Sequence, residues 1–474
     1  MSQTVPTRTR RVLLVNTNRY DQPYPVYPLS VAYLQASLRA AGHECRIWDA
    51  LSAKATLEEM IADFSPDHVG ISVRNVDNVQ AHNPRSFIHD LLDYCRRVRA
   101  ATTATLVLGG SGFSVFPREL LALTQADFGI AGEGERALVE LVDALRDSTE
   151  YRGIAGLVWR EADGRVALCP RNPKGEIFSV DPEHDQELIR FYVERGSIPG
   201  VQTQRGCPLR CCYCTYPLIE GKKSRFRTGA EIVEEMRRLL ALGVKYTFIV
   251  DSVFNTSREH IVSVCEALAA AKLDMEWGCF LRPRNATREL LELMKRAGAR
   301  HIEFGSDSFS DSVLKAYAKS FTWEEIQRAS LDCHELGLHY SHFLIFGGPG
   351  ETAETIDETL ARAATLPESF FFGTVGMRIY PDTPLWRELG CDARGELPGE
   401  YLVEPRFHIQ PPLTVDSIMA RLSSVQVNSA RWMIGDPPQQ FRETIDMLRR
   451  RGVRGPIWEY VELLQRFTKP AVVA

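Results

Sequence analysis

The sequence predicts an α/β protein: an N-terminal doubly wound parallel sheet, a partial (β/α)6 barrel behind it, and a small helical C-terminal domain. Three observations carry this expectation. Over the first 150 residues, apolar β-branched runs alternate with amphipathic helical segments, a rhythm that builds a parallel sheet with helices on both faces. The rhythm returns between residues 199 and 395. Between the two, RGCPLRCCYCTYP (205–217) places four cysteines within eight positions.

A chain of 474 residues, 44% hydrophobic and 25% charged, suits a globular protein of several domains. The divisions read as 1–150, a hairpin-bearing linker at 151–198, the barrel at 199–395 and the C-terminal domain at 396–474. Eleven cysteines, an odd number scattered around one cluster, exclude a disulfide framework. The opening MSQTVPTRTRRVLLVN has too short an apolar run for a leader, so a cytoplasmic setting with reduced thiols is expected. No stretch approaches the roughly 18 apolar residues of a membrane span. A net charge of −5 argues against a broad polyanion-binding surface.

The first strands are RVLLVN, ECRIWD, HVGISV, ATLVLGG and ADFGIAG, with LSVAYLQASLRAAG as the clearest helix. Ligands of such sheets bind at the carboxyl ends of the strands. Those ends carry Pro28, the run from Arg74 to Asn78, the turn Gly109-Gly110-Ser111-Gly112, and Gly132-Glu133-Gly134-Glu135. One glycine after a strand is ordinarily just a turn; four such loops on one edge leave room for a large ligand. No GxGxxG stands at the first turn, which speaks against a dinucleotide site. In PLSVAYLQASLRAAGH, VLGGSG and AGEGE the region resembles the cobalamin-binding domains that precede radical SAM domains. The resemblance implies a corrin held across Pro28, Asn75, Asp77, Gly109, Gly110, Ser111, Glu133 and Gly134. Residues 1–150 lack the Asp-x-His-x-x-Gly motif of other cobalamin proteins, so no histidine of that motif is expected as the lower cobalt ligand. The linker shows short runs, GIAGLVW, RVALC and GEIFSV, around EADGR and RNPKG turns.

Cys207, Cys211 and Cys214 form C-x3-C-x2-C, with Cys212 extra. A structural zinc site would want a fourth ligand from a second pair, and no second CxxC or HxxxH follows. Three thiolates on one loop can hold three irons of a [4Fe–4S] cube and leave the fourth open. Cys212, adjacent to Cys211, is a strained candidate for the same cube. The spacing resembles the radical SAM signature, with Tyr213 at the aromatic position before the third cysteine.

The barrel strands read as VQTQ, KYTFIVD, MEWGCFL, HIEFGSD, YSHFLIFGGPGE and GTVGMRIYP. Function is expected at their C-terminal ends. The resemblance implies that S-adenosylmethionine (SAM) lies there: Asp251 near its amino group, Arg282 on its carboxylate, and Glu303, Ser306 and Asp307 around the carboxylate and ribose. Gly347 and Gly348 would pack on adenine and Tyr380 would close the pocket. Arg282 and Asp307 could equally be exposed ion-pair partners, and Cys279 reads as a core thiol. Of His339 and His342, alternation lets at most one face the pocket. The C-terminal region is expected to cap the barrel mouth, with Tyr401, Phe407, His408, Asn428, Arg431 and Trp432 on the substrate side.

The resemblance implies a cobalamin-dependent radical SAM enzyme, foremost a methyltransferase on a small molecule or lipid precursor, fed by an electron donor such as flavodoxin or ferredoxin. The alternative keeps the domains but transfers the 3-amino-3-carboxypropyl group or rearranges a ring, with or without cobalamin. An RNA methylthiotransferase would need ligands for a second cluster, and the N-terminal domain offers only Cys45 and Cys95. A plain electron carrier would not need a barrel behind its cluster. No catalytic acid or base is assigned.

Overall fold

The computed structural model describes residues 9–22, 24–171, 180–391, 403–429, 431–436, 443, 447–453 and 455–460. Tyr401 and most of the expected RNPKG and GEIFSV segments lie outside these residues. The N-terminal sheet holds β1 (Arg11–Asn16), β2 (Glu44–Asp49), β3 (His68–Ser72), β4 (Thr105–Gly109), β5 (Phe128–Ile130), β6 (Leu157–Arg160) and β7 (Val166–Leu168). Their order is β2-β1-β3-β4-β5-β6-β7. The first five are parallel. The linker's hairpin, β6 and β7, extends the sheet antiparallel.

Val12 to Val15 are at most 2% exposed, because both faces of the sheet are covered and the strand must be apolar throughout. Val12 and Leu14 pack under the helices Leu29–Ala40 and Glu135–Asp147. Leu13 and Val15 pack under Leu57–Phe64, Ile88–Ala101 and Pro117–Thr124.

The second sheet is seven-stranded and parallel, in the order β18-β15-β14-β13-β12-β11-β8. Its strands are β8 (Gly200–Val201), β11 (Tyr246–Ile249), β12 (Glu276–Leu281), β13 (Ala299–Asp307), β14 (His339–Phe346), β15 (Phe370–Val375) and β18 (Trp432–Ile434). Two antiparallel pairs flank it: β9 (Gln204–Arg205) with β10 (Arg225–Phe226), and β16 (Met377–Arg378) with β17 (Phe407–His408). Threonine hydroxyls start the outer helices: Thr228, Thr322, Thr352 and Thr414 each form a reciprocal capping pair with the residue three places on. The inner wall is aromatic. Phe248 meets Phe280 at 4.9 Å, Phe280 meets Phe343 at 6.0 Å, and Phe343 stacks on Phe372 at 4.6 Å. Gly278 leaves room for Phe248, whose ring would lie 3.1 Å from a Cβ there.

The C-terminal region differs from expectation in two ways. The segment NSARWMIG, expected as helix, contains β18, a seventh strand whose Trp432 stacks on Phe371 at 4.7 Å. The described residues beyond it close the opposite end of the barrel from the mouth. Leu448 and Trp458 pack on Phe370 and Met433, near the starts of β15 and β18. Trp458 Nε1 donates to His301 Nε2, near the start of β13, at 2.7 Å. Tyr24, from the loop after β1, stacks on Trp458 at 6.1 Å and also packs on Phe248. These aromatics fill the gap between the two edge strands, β8 and β18, that an open barrel leaves.

The mouth is covered by the N-terminal domain. The loop after β3 docks on the ends of β15 and β18, with Ala81 N donating to Val375 O at 3.0 Å. Gly376 and Gly435 admit that loop: a Cβ on either would lie 2.6 Å from Ala81 or His82. Asp77 and Arg378, both essentially buried, pair at 2.8 Å across the interface. The C-terminal edges of the two sheets therefore face one another.

Candidate active site

The β9–β10 pair brackets the cysteine loop. Gly206 opens it with φ +90°, and a Cβ there would meet Lys223 O at 2.1 Å, so only glycine fits. Cys207 N bonds to Gly221 O and Cys214 N to Cys211 O, folding the loop back on itself. Cys212 stands apart from its neighbours. Its sulfur lies 3.7 Å from Met377 Sδ in a small core with Val313, Tyr317 and Leu385.

Burial pushes the Cys211 and Cys214 thiols up, Cys214 to about 12. Neighbouring thiols add to this, Cys207 acting on Cys211, and both acting on Cys214. Thiolates this close together are stabilised by positive charge among them, which iron would supply. Among the described residues no three His, Cys, Asp or Glu side chains converge on a single metal ion. Around one tetrahedral ion thiolates sit only about 3.8 Å apart, whereas a four-iron cube binds each thiolate to a separate iron. Three thiols on one loop are the donor set that a cube with one open iron takes.

The predicted SAM residues divide by face. Arg282 follows β12 at its mouth end, two residues beyond Phe280, and burial lowers its pKa. Its buried Nε and the buried Ser252 hydroxyl lack hydrogen-bond partners, as a site for a carboxylate and hydroxyls requires. Ser252 was passed over beside Asp251. Asp251 itself is fully buried and accepts from Thr203 N (2.7 Å), Thr203 Oγ1 and Gln204 N (3.0 Å), so its oxygens are taken up in tethering the strand that leads to the cysteines. Desolvation raises its pKa to about 7 despite those bonds.

Asp307 faces the mouth, bonded to Tyr213 Oη at 2.6 Å and paired with Lys319. Glu303 lies deeper on the same inward row, 3.6 Å from His301. Ser306 points the other way, its hydroxyl 2.8 Å from His342 Nδ1 under the outer helix. His342 is packed among Phe304, Phe309 and Phe371, and burial lowers it to about 3. His339 stands at the opposite end of β14 from the mouth. Gly347 and Gly348 are filled by protein: Cβ atoms would meet Ile418 at 2.9 Å and Tyr317 at 2.4 Å. Tyr380 packs on Phe116 and beneath Arg378, at the domain interface. Cys279 is a fully buried core thiol.

Of the substrate-side candidates, Phe407 and His408 form β17 beside Arg378. Arg431 bonds to Leu366 O and Trp432 stacks on Phe371, both away from the mouth. Asn428 ends a helix, and its side chain lies outside the described residues.

On the facing edge lies a cleft of about 200 Å3 lined by Gly109, Gly110, Ser111, Glu133 and Gly134, as expected, and also by Gly70. Gly110 is required: it has φ +98°, and a Cβ would lie 2.5 Å from Val73 O. Ser111 Oγ donates to Arg74 O at 2.7 Å. Gly70, the glycine in HVGIS, leaves the floor open, since a Cβ there would press Leu14 at 3.1 Å. A glycine inside a strand was the available signal. The apolar cradle fits one arm of a corrinoid, and no histidine lines it. Pro28 starts the helix whose Ser30, Val31 and Leu34 form the cleft wall. Asn75 bonds back to Arg74. Asp77 is consumed by Arg378, and Glu133 is shared between the cleft and the cations Arg205 and Arg225.

Residues 21–142 match the B12 binding domain and residues 201–363 match the Radical SAM superfamily. The chain is 29% identical to the uncharacterized methyltransferase PH0819 of Pyrococcus horikoshii, over 76% of this chain and 77% of that protein. It is 26% identical to the tryptophan 2-C-methyltransferase of Streptomyces laurentii, over 81% and 76% respectively. Its fold is that of the radical S-adenosylmethionine methyltransferase TsrM from Kitasatospora setae, solved with cobalamin and a [4Fe-4S] cluster. That likeness has a TM-score of 0.84 at 23% identity and covers 97% of this chain and 98% of TsrM. The chain belongs to the radical SAM superfamily, in the form that carries a B12-binding domain ahead of the radical SAM domain.

Proposed function

We propose that this protein is a cobalamin-dependent methyltransferase of the radical SAM superfamily that acts on a small molecule. The observation that carries this reading is the facing of the two strand-end edges, with the cysteine loop and Arg282 on one and the glycine-lined cleft on the other. The relatives named as methyltransferases support methyl transfer over aminocarboxypropyl transfer or ring rearrangement.

When bound, the cluster supplies the electron that cleaves the sulfonium and the corrinoid supplies a carrier for the methyl group. The chain's own residues do the rest. Cys207, Cys211 and Cys214 would hold the cluster. Arg282 would take the SAM carboxylate through its planar fork, with Ser252 beside it, and so orient the sulfonium. Gly109, Gly110 and Gly134 let the corrinoid approach the backbone. The buried Asp77–Arg378 pair and the docked 74–86 loop keep water from the space between. A flavodoxin- or ferredoxin-like donor and a cytoplasmic setting complete the reading; among the described residues no helix is long and apolar enough to cross a membrane. The corrinoid module then spans about residues 1–150, and β18 assigns part of 396–474 to the barrel.

The test is anaerobic reconstitution with iron, sulfide and hydroxocobalamin, reduction by dithionite with SAM, and mass spectrometry of the nucleosides. S-adenosylhomocysteine and 5′-deoxyadenosine are expected, both lost in the Cys207→Ala, Cys211→Ala, Cys214→Ala triple variant. Methylthioadenosine as the dominant cluster-dependent product would overturn the assignment.

A further inference from the structure

We propose that Lys319 and Asp307 form a matched charge pair beside the cysteine loop that sets the reduction potential of the cluster. Lys319 is delivered to the cysteine loop by an unusual helix end. The helix Asp311–Ala316 closes with Lys319 N bonded to Leu314 O at 2.9 Å and Ala318 N to Lys315 O at 3.1 Å. That is the double bond pattern of a left-handed helix stop, normally built on glycine. Here Ala318 occupies the left-handed position at φ +59°, an unfavourable conformation for a residue with a Cβ. The same turn is clamped to the cysteines, since Tyr317 O accepts from Cys212 N at 3.1 Å.

The side chain that follows is 7% exposed. Its ammonium pairs with Asp307 and lies 3.3 Å from Gly305 O and 5.6 Å from the ring centre of Tyr213, between Cys212 and Cys214 in the cysteine loop. Asp307 is held in turn by Tyr213, the residue before Cys214, and itself sits at φ +65°. Two residues in the left-handed region thus place one cation and one anion beside the cysteine loop, both against Tyr213.

Reduction adds one negative charge to the cluster. A buried ammonium beside the cluster's thiolates stabilises the reduced form, and a buried carboxylate next to it opposes that effect; hydrogen bonds to the sulfurs and local charge are the levers on such potentials. The proposal rests on the cluster alone and not on methyl transfer. If wild-type protein assembles no cluster, the superfamily reading of the site fails; if it does and the potential ignores the pair, only this inference fails.

The experiment is a redox titration of reconstituted full-length protein followed by electron paramagnetic resonance, without SAM, because Asp307 also faces the mouth. Lys319→Gln should lower the reduced-to-oxidised ratio at fixed potential at least tenfold, equivalent to 59 mV for one electron. Asp307→Asn should raise it, and Lys319→Arg should stay near wild type. Shifts of the same sign in Lys319→Gln and Asp307→Asn, or none, overturn the proposal. Should Lys319→Gln assemble no cluster, Asp307→Asn decides alone. Loss of the cluster in both would also overturn it, since the pair would then be a structural support.

Discussion

Along the C-terminal edge of the first sheet, the cleft is made by side chains that are missing: Gly70, Gly110 and Gly134 sit where a Cβ would strike Leu14, the Val73 backbone or Leu34. Across the interface, the barrel mouth is made by groups that are present and half or fully buried: three thiols, Arg282, Asp307, Lys319 and, behind them, Asp251. The first edge selects by shape and the second by charge. The difference teaches where each should be fragile. A shape site fails when volume is added, whatever its polarity, whereas a charge site fails when a proton is gained or lost, whatever the volume.

The largest effect expected from this contrast is on pH dependence, through Asp251. Its pKa is about 7 in the fold against ~3.9 in an unfolded chain. A raised carboxyl contributes stability that is complete below the unfolded value and is lost as pH rises through the folded one. Between pH 4 and pH 8 this amounts to on the order of 4 kcal/mol. Asp251→Asn keeps an acceptor for Thr203 N and removes the titration. The variant should match wild type near pH 4 and exceed it in urea midpoint at pH 8. An advantage that does not grow with pH would show that the charge of Asp251 is harmless where it lies.

The next effect strikes the shape edge. Gly110→Ala forces a Cβ to within 2.5 Å of Val73 O at φ +98°, a region essentially reserved for glycine, at a cost of about 3 kcal/mol. Hydroxocobalamin binding, followed by equilibrium dialysis, should weaken at least tenfold. Gly42→Ala is the control: Gly42 also has positive φ, but a Cβ there would meet nothing within 4 Å. It should lose about 1 kcal/mol of stability and bind hydroxocobalamin as wild type does. Equal losses of binding in both would mean that backbone strain, rather than the cleft, governs the ligand.

The same contrast explains what could be read in advance. The cysteines and the strand-end glycines are local signals, because ligand spacing and turn chemistry act within a few residues. Both sheets were legible for the same reason: parallel strands covered on two faces are apolar throughout, as in Val12 to Val15. The roles of Asp251, Lys319 and Trp458 were not legible, since each depends on a partner far away in the chain: Thr203, Tyr213 and His301. Ser306 is a different kind of miss. Strand alternation already forbids Ser306 and Asp307 from facing the mouth together, and the structure gives the mouth to Asp307. Trp432 was misplaced because three apolar residues after a helix carry too little period to separate strand from helix.

The smallest effect tests the boundary inside the cysteine loop itself. Cys211 and Cys212 are adjacent in sequence and opposite in surroundings. Cys211 lies among charges, with Lys319, Asp307 and Cys207 all acting on its thiol. Cys212 is 4% exposed, with its sulfur against Met377 and its backbone bonded to Tyr317 and Leu385. Its sulfur is turned into that apolar core, so it binds no iron as it stands. Cys212→Ala removes one buried sulfur from an apolar wall and should cost about 1 kcal/mol, with iron and sulfide content and the reduced resonance signal unchanged. Cys211→Ala should lose the cluster at little cost to the fold, because its surroundings are polar. If Cys212→Ala lost iron as Cys211→Ala does, Cys212 would have to rotate out of its apolar wall to ligate, and the division of this loop between charge and packing would be wrong.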